Sequence, residues 1–270
     1  MSSLRGAVVT PQMLAGVQQQ VMSQGEQMLV LRQRVAALEA RAALEDEGKK
    51  PRRRVEFRSQ FGEDLWIWDV LGRQTSGFFI EVGAFDGYHF SVSYALGCVG
   101  WTGLLIEALP ERAEQCRGRR PEARVVHAAL GKRGAAGTVK FVSVDDQYGG
   151  MLSFAQAPSE HAKGIAREGF KTRTIDVPVT TMNELLKEHI GPIDVAVIDV
   201  EGAELDVLDG FDLDRYRPRL LVLEDNSGGR DPRLGQYMGT KPYLDAGWVG
   251  VNRVYVRADE GKLLDNLRRF

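Results

Sequence analysis

The sequence is poor in cysteine and histidine. Its two cysteines, Cys98 and Cys116, form no CxxC pair, which excludes a disulfide framework and a cysteine-rich zinc site and makes a reduced, cytoplasmic setting the expectation. The four histidines, His89, His127, His161 and His189, show no zinc-ligand spacing. No apolar run approaches the roughly 20 residues of a membrane span, so no transmembrane segment is expected. The N-terminus lacks the apolar core of a secretion signal. A formal charge of -2 over 270 residues gives no general attraction to nucleic acid or to anionic lipid. What is left is a globular chain with room for one good-sized α/β domain and an appendage.

The most informative stretch is Phe78–Gly87, FFIEVGAFDG. A short apolar run leading into a glycine-bearing turn reads as a buried strand entering a ligand-binding loop. Glycine lets backbone and ligand approach closely. The dinucleotide fingerprint G-x-G-x-x-G is not met, because Phe85 and Asp86 stand where a pyrophosphate needs glycine. Two carboxylates, Glu81 and Asp86, bracket the turn instead. A nucleotide-like ligand without phosphates, bearing an amine and a cation, suits them, and S-adenosylmethionine is such a ligand. A second strand, Trp101–Glu107, ends in an acid at about the interval at which doubly wound folds place one on ribose hydroxyls.

Residues 1–10 read as frayed. From Leu14 to Ala42 apolar positions recur in alternating steps of three and four, through Val17, Val21, Met28, Leu31, Val35 and Leu38, with Gln24 the polar exception. That is the seam of a coiled coil, and it predicts a homo-oligomer assembled through residues 14–42. The alternative is one amphipathic helix lying on the following domain. The organisation expected is a coiled-coil helix over 1–48, a basic, solvated linker over 49–56 containing KKPRRR, and an α/β domain over 57–270.

Within that domain Ser59–Leu71 suits a packing helix, with Glu63 and Asp64 near its positive end; Gln60, Gly62 and Glu63 alternatively close the cofactor site. A helix is expected from His89, another over Glu111–Arg119, and a third over Met182–His189. Strands are expected at Arg124–Leu130, Thr138–Val144, Thr174–Val179, Ile193–Val200 and Pro218–Glu224, and a strand pair within Trp248–Val256 joined near Asn252-Arg253. The alternation predicts one mostly parallel sheet covered on both faces, with ligands at the carboxyl ends of its strands. Asp145–Gly169 has no clear period and reads as a cover over substrate.

Five blocks in order resemble the FkbM-type family of S-adenosylmethionine-dependent methyltransferases: Ser59–Asp64, Phe79–Gly87, Gly100–Glu107, His127–Gly131 and Ile198–Glu204. The resemblance covers about residues 57–257. It departs from the family's common pattern at Ser91-Val92-Ser93, where Ser-Asn-Thr is usual, and at Glu107-Ala108, where Glu-Pro is usual. It implies a Rossmann-like class I methyltransferase fold and O-methylation of a sugar, glycan or natural-product hydroxyl. It further implies that Glu81, Gly83, Asp86 and Gly87 line the methionine end of the cofactor, that Glu107 holds the ribose, and that Ala128 and Ala129 lie near adenine.

A hydroxyl acceptor is a poor nucleophile at neutral pH, so a base or a metal is expected. Asp199 ends one predicted inner strand and Asp225-Asn226 follow the next. Three hard oxygen ligands so placed would suit Mg²⁺, or Mn²⁺ or Ca²⁺, with Glu201 a further ligand or the base. Otherwise Asp199 and Glu201 cap a helix and Asp225-Asn226 form a turn. His89, His161 and Tyr148 are other candidate bases. Two rival functions are an assembly module on a degenerate methyltransferase scaffold and an NAD-dependent oxidoreductase.

Overall fold

A computed structural model describes residues 11–147, 149–155 and 159–267, with side chains omitted for 11–17 and 159–161. The expected frayed residues 1–10 lie outside it. The central sheet has seven strands: β1 (Phe78–Val82), β2 (Thr102–Glu107), β3 (Ala123–His127), β7 (Val195–Ile198), β8 (Leu220–Glu224), β9 (Tyr243–Val249) and β10 (Asn252–Arg257). Their spatial order is β3-β2-β1-β7-β8-β10-β9. The first five are parallel, while β10 runs antiparallel to both β8 and β9. Strand order reverses between β1 and β7, the place where open α/β sheets leave a crevice at their carboxyl ends. The β9–β10 connection falls at Gly250-Val251, two residues earlier than expected; β10 begins at Asn252 because that residue pairs with Glu224.

Two strands expected in the main sheet form a separate one. β5 (Gly137–Asp145) and β6 (Lys171–Thr180) make a long antiparallel pair, joined along β6 by the short β4 (Ala129–Leu130). The stretch RVVHAAL therefore divides at Ala128: β3 stays in the main sheet and β4 leaves it. Alternating exposure along β5 and β6 fits a small sheet buried on one side only.

Alternation along the main sheet decides which side chains meet, since successive residues of a strand point to opposite faces. Phe79, Leu105, Val195, Val197, Leu220 and Val222 share one core with α2 (Glu63–Val70) and α3 (Tyr94–Val99). Ile80, Ile106, Ala196, Ile198, Leu221 and Leu223 share the other with α7 (Glu204–Asp209) and α9 (Arg233–Met238). By the same parity Glu81, Glu107, Asp199 and Glu224 belong to the α2–α3 face.

α1 (Pro11–Asp46) is one 36-residue helix. Its second half packs onto the domain through Leu29, Ala36, Ala37, Ala40 and Leu44, within the core that includes α2 and α3. The basic stretch keeps Lys49, Lys50, Arg52 and Arg54 exposed, yet it is tied to the domain at several points. Arg52 donates to the carbonyls of Trp101 at 2.5 Å and Gly100 at 2.9 Å, Arg53 grips both oxygens of Glu122, and Val55 is buried. The Arg52 guanidinium satisfies carbonyls exposed where α3 ends, a role that a count of charges does not reveal.

The helix expected from His89 starts only at Tyr94. Phe90 has φ +58°, and Ser91 and Ser93 turn toward Glu81 instead of winding into the helix. Beneath this loop lies Arg120, fully buried. It donates to the carbonyls of Gly87 and Ser93, to the hydroxyls of Ser91 and Ser93, and to Glu122. Removing a buried cation so engaged costs about 3–5 kcal/mol. Arg120→Met is expected to lower the unfolding free energy read from urea titration by that order, through a lower midpoint with the slope of the transition unchanged.

Candidate functional site

A cleft of 560 Å³ lies at the carboxyl ends of β1, β2, β7 and β8. The volume is within the range of small-molecule sites. Its floor starts at Gly83, with φ +79°, just beyond β1. A Cβ on Gly83 would stand 1.9 Å from the backbone oxygen of Asp199. The glycine is thus required by the neighbouring β7, whose end crowds against it, before any ligand is considered.

Glu81 and Glu107 line the cleft and are fixed by donors. Glu81 Oε1 accepts from the Val92 N–H at 2.8 Å, and Oε2 from the hydroxyls of Ser91 at 2.9 Å and Ser93 at 2.5 Å. Glu107 accepts from the N–H groups of Phe85 at 2.8 Å and Leu109 at 2.7 Å. Burial pushes the Glu107 carboxyl up to about 7, against the backbone donors that favour its charge. Glu81 Oε1 and both oxygens of Glu107 each keep a second lone pair, so both residues can still accept from a ligand. Ala128 and Ala129 form a small, apolar part of the wall.

Asp86 and Gly87 are not brought to the cleft wall. Asp86 is 2 % exposed and accepts from the N–H groups of Tyr88 and His89, each at 2.9 Å. It also pairs with His89 Nδ1 at 2.6 Å and with Arg119. Burial disfavours its charge, but the bonds from His89 and Arg119 prevail and hold it at about 2. Gly87, with φ +74°, sits over Cys116 and Arg120, which leave no room for a side chain. Both residues fold the turn that presents Glu81 and Phe85.

Gln60 and Glu63 close one side. Asp64 ties the turn before α2 by accepting from Ser59 N at 3.0 Å and Ser59 Oγ at 2.5 Å. Glu63 accepts from Phe61 N at 2.9 Å and from Asn252 Nδ2 at 2.7 Å. Asn252, read in the sequence only as a strand joint, is a buried part of the wall.

The acids beyond β7 and β8 differ from the expected set. Ligand oxygens of Asp199, Glu201 and Glu224 all lie within 4.8 Å of one another. Asp225 is not among them. It follows Glu224 by one residue, so alternation turns it away, and its Oδ1 accepts from Ser227 N at 3.0 Å and Ser227 Oγ at 2.5 Å. Asn226 lines the cleft and donates to Glu224 Oε1 at 2.6 Å. Glu224 Oε2 is buried without a hydrogen-bond partner. Asp199 opens onto the cleft with protein packed around the rest of it. Burial and mutual repulsion raise the carboxyls of Asp199, Glu201 and Glu224. The turn's free N–H groups, Val200 and Gly202, go to Glu204 Oε1 at 3.3 and 3.0 Å. Glu204 therefore ties the turn ahead of α7, and among the described residues no side chain, neither Asp199 nor Glu201, bonds to that helix's first N–H groups as a cap.

The cleft's roof comes from the aperiodic stretch. Gly150, Met151, Leu152 and Ser153 line it, together with Phe141 of β5. Asp146 holds this flap by accepting from the N–H groups of Gly150 and Leu152. Arg112 donates to the Gly149 carbonyl at 3.0 Å and lies 4.3 Å from the Phe85 ring centroid, linking flap and glycine turn. Of the candidate bases, His89 stands at the wall, Tyr148 lies outside the described residues, and so does the side chain of His161.

The sequence model of the Methyltransferase FkbM domain matches residues 81–238, more than half of the chain. The chain belongs to the FkbM methyltransferase family. No curated protein matches it. Solved structures with some likeness include methyltransferase FkbM from Methylobacillus flagellatus KT, 14% identical, with 67% of this chain and 44% of that one covered and a TM-score of 0.42. The METTL16 methyltransferase domain is 13% identical, with 73% and 66% covered and a TM-score of 0.42. Cofactor-bound Rv0187 from MTB is 18% identical, with 83% and 90% covered and a TM-score of 0.41. The chain spans less than half of the first of these and just under two thirds of the second.

The matched span of this FkbM chain runs from Glu81 through α9, and so takes in both acid groups and the flap. Two outcomes follow from the turn's geometry. Gly83→Ala is expected to lower the melting temperature by itself, since a left-handed φ costs a side chain about 1–2 kcal/mol and the Asp199 carbonyl blocks the Cβ; calorimetric unfolding without ligand checks this. Asp86 has a folded pKa depressed from 3.8 to about 2. Its stabilisation is full above the unfolded value and is lost as pH falls through about 2. Asp86→Asn is therefore expected to destabilise by about 2 kcal/mol at pH 7, the gap to the parent closing in acid denaturation series as pH drops below 4.

Proposed function

We propose that this chain is an S-adenosylmethionine-dependent O-methyltransferase acting on a hydroxyl of a sugar, glycan or natural product, assisted by a divalent cation. Family membership supports the methyl transfer. The observation that carries the rest is the convergence of Asp199, Glu201 and Glu224 in the cleft, on the far side of Gly83 from Glu81 and Glu107.

The residues fit the cofactor. Glu81 and Glu107 offer pinned carboxylate oxygens to an ammonium and to ribose hydroxyls, and Ala128 and Ala129 offer a flat apolar wall to adenine. When bound, S-adenosylmethionine supplies an electrophilic methyl group. The chain's part is alignment and proton removal. Phe141 and the Gly150–Ser153 flap cover the cleft, and excluding water there strengthens every charge interaction inside it.

The residues also fit a cation. Three converging carboxylates repel one another, and either protons or a divalent ion must relieve them. Oxygen ligands alone suit Mg²⁺, Mn²⁺ or Ca²⁺. Asp199, Glu201 and Glu224 would hold the ion, with Asn226 fixing Glu224. When bound, it would lower the pKa of an acceptor hydroxyl. Without an ion, Glu201 serves as general base, its raised pKa making it a stronger one, with His89 the next candidate.

Glu224→Gln is expected to reduce turnover about 10²-fold or more while calorimetry finds S-adenosylmethionine affinity unchanged. Chelator should reproduce the loss in the parent, and Mg²⁺ should restore it. Full activity in chelator would remove the cation and leave Glu201 as the base.

A further inference from the structure

We infer that α1 joins two copies of this chain in a parallel, two-stranded coiled coil through the helix face turned away from the domain. The inference is independent of the cleft and of the reaction assigned to it.

The helix carries two apolar stripes. One docks on its own domain, with Ala36 7 %, Ala40 0 % and Leu44 1 % exposed. The other is the heptad seam, and it stays open: Val21 is 61 %, Met28 59 %, Leu31 54 %, Val35 53 % and Leu38 64 % exposed. At about 100° per residue, the seam points roughly opposite the docked stripe. Folding of the domain has therefore used one face of α1 and left the second unpartnered. Residues 18–28 are all exposed, so this part of the helix buries no side chain against the described residues of its own domain.

The occupant follows from residue types. Counting Val21 as position a, the a positions Val21, Met28 and Val35 include two β-branched residues, and the d positions after Gln24 are Leu31 and Leu38. β-branched a with leucine d favours two parallel strands. Charge agrees. In a parallel pair, g of one helix faces e of the next heptad across the interface, which sets Arg34 against Glu39 of the second copy. Antiparallel helices bring g against g and e against e: Arg32 can then meet Glu39, but Gln20, Gln27, Arg34 and Arg41 offer one another no acid across the g side. Within its own chain Glu39 pairs with the half-exposed Arg73, at 3.2 Å.

Sedimentation equilibrium of the full chain in the micromolar range tests this. The parent is expected at twice the chain mass. Leu31→Asp with Leu38→Asp is expected at the single-chain mass, with the domain's thermal unfolding intact because both side chains are exposed. A Val21→Cys variant, oxidised, is expected to form a covalent dimer, since only parallel helices bring the two copies of an off-centre residue together; Cys98 and Cys116 are buried. A parent at the single-chain mass, one at three times that mass, an unchanged dimer in the double aspartate variant, or no cross-link at position 21 would each overturn the inference.

Discussion

The structure depends on burying carboxylates along one face of a sheet at its carboxyl edge. Alternation along β1, β2, β7 and β8 sends Glu81, Glu107, Asp199 and Glu224 the same way, and Glu204, which ties the turn before α7, and wall-lining Glu63 join them. A buried charge must be paired, hydrogen-bonded or neutralised. The acids divide by how this is met. Glu81, Glu107, Glu63 and Glu204 accept from backbone N–H groups, and two of them also from side-chain donors. These bonds draw the glycine turn, the Ser91–Ser93 loop and the approach to α2 into fixed shapes. Asp199, Glu201 and Glu224 instead face one another. The first group gives the cleft its form, and the second gives it an acidic centre, open to the cleft at Asp199, whose mutual repulsion protons, a cation or a ligand would relieve.

Fixing the first group takes support from below. Arg120 gathers the carbonyls and hydroxyls of the loop that holds Glu81, and Glu122 in turn bridges Arg120 to Arg53. Arg53 belongs to the stretch that leads from α1 into the domain. A single chain of ionic contacts thus runs from the segment after α1 to the floor of the cleft. Asp86 acts likewise from the side, trading a place in the cleft for bonds to His89 and Arg119. Carboxylates near a ligand site need not touch ligand to be indispensable to it.

Much of this was legible in the sequence. The strand and turn of Phe78–Gly87, the acid ending WTGLLIE and the parallel order follow from apolar runs, glycines and their intervals, and of the aperiodic Asp145–Gly169 the Gly150–Ser153 part lines the cleft. Gly83 was legible as indispensable through its place at the cleft, while the Asp199 carbonyl that also demands it was not, since sequence shows that a backbone must come close without showing which one. Glu224 was missed for a different reason. The pair Asp225-Asn226 has the appearance of a ligand set, but the parity of LLVLE already assigns Glu224 to the face of Asp199 and sends Asp225 away. The separate β4-β6-β5 sheet was not legible, because strands of alternating pattern fit a small sheet as well as the edge of a large one.

The N-terminal helix shows why a two-way choice drawn from sequence can be false. A coiled coil and a helix docked on its own domain were set against each other because each needs an apolar stripe. A helix of 36 residues has room for both. The docked stripe relies on alanines at 36, 37 and 40, small enough to bring α1 close over α2 and α3, while the seam uses the larger Val, Met and Leu. The docked face also reaches the site: Gln33 donates to the Ser59 carbonyl at 3.2 Å, and Leu29 lies against Gly62. Gln60 and Glu63 of that same turn line the cleft. The helix that bears the seam is therefore a wall of the turn that closes the site, and whatever holds α1 in place steadies one side of the cleft.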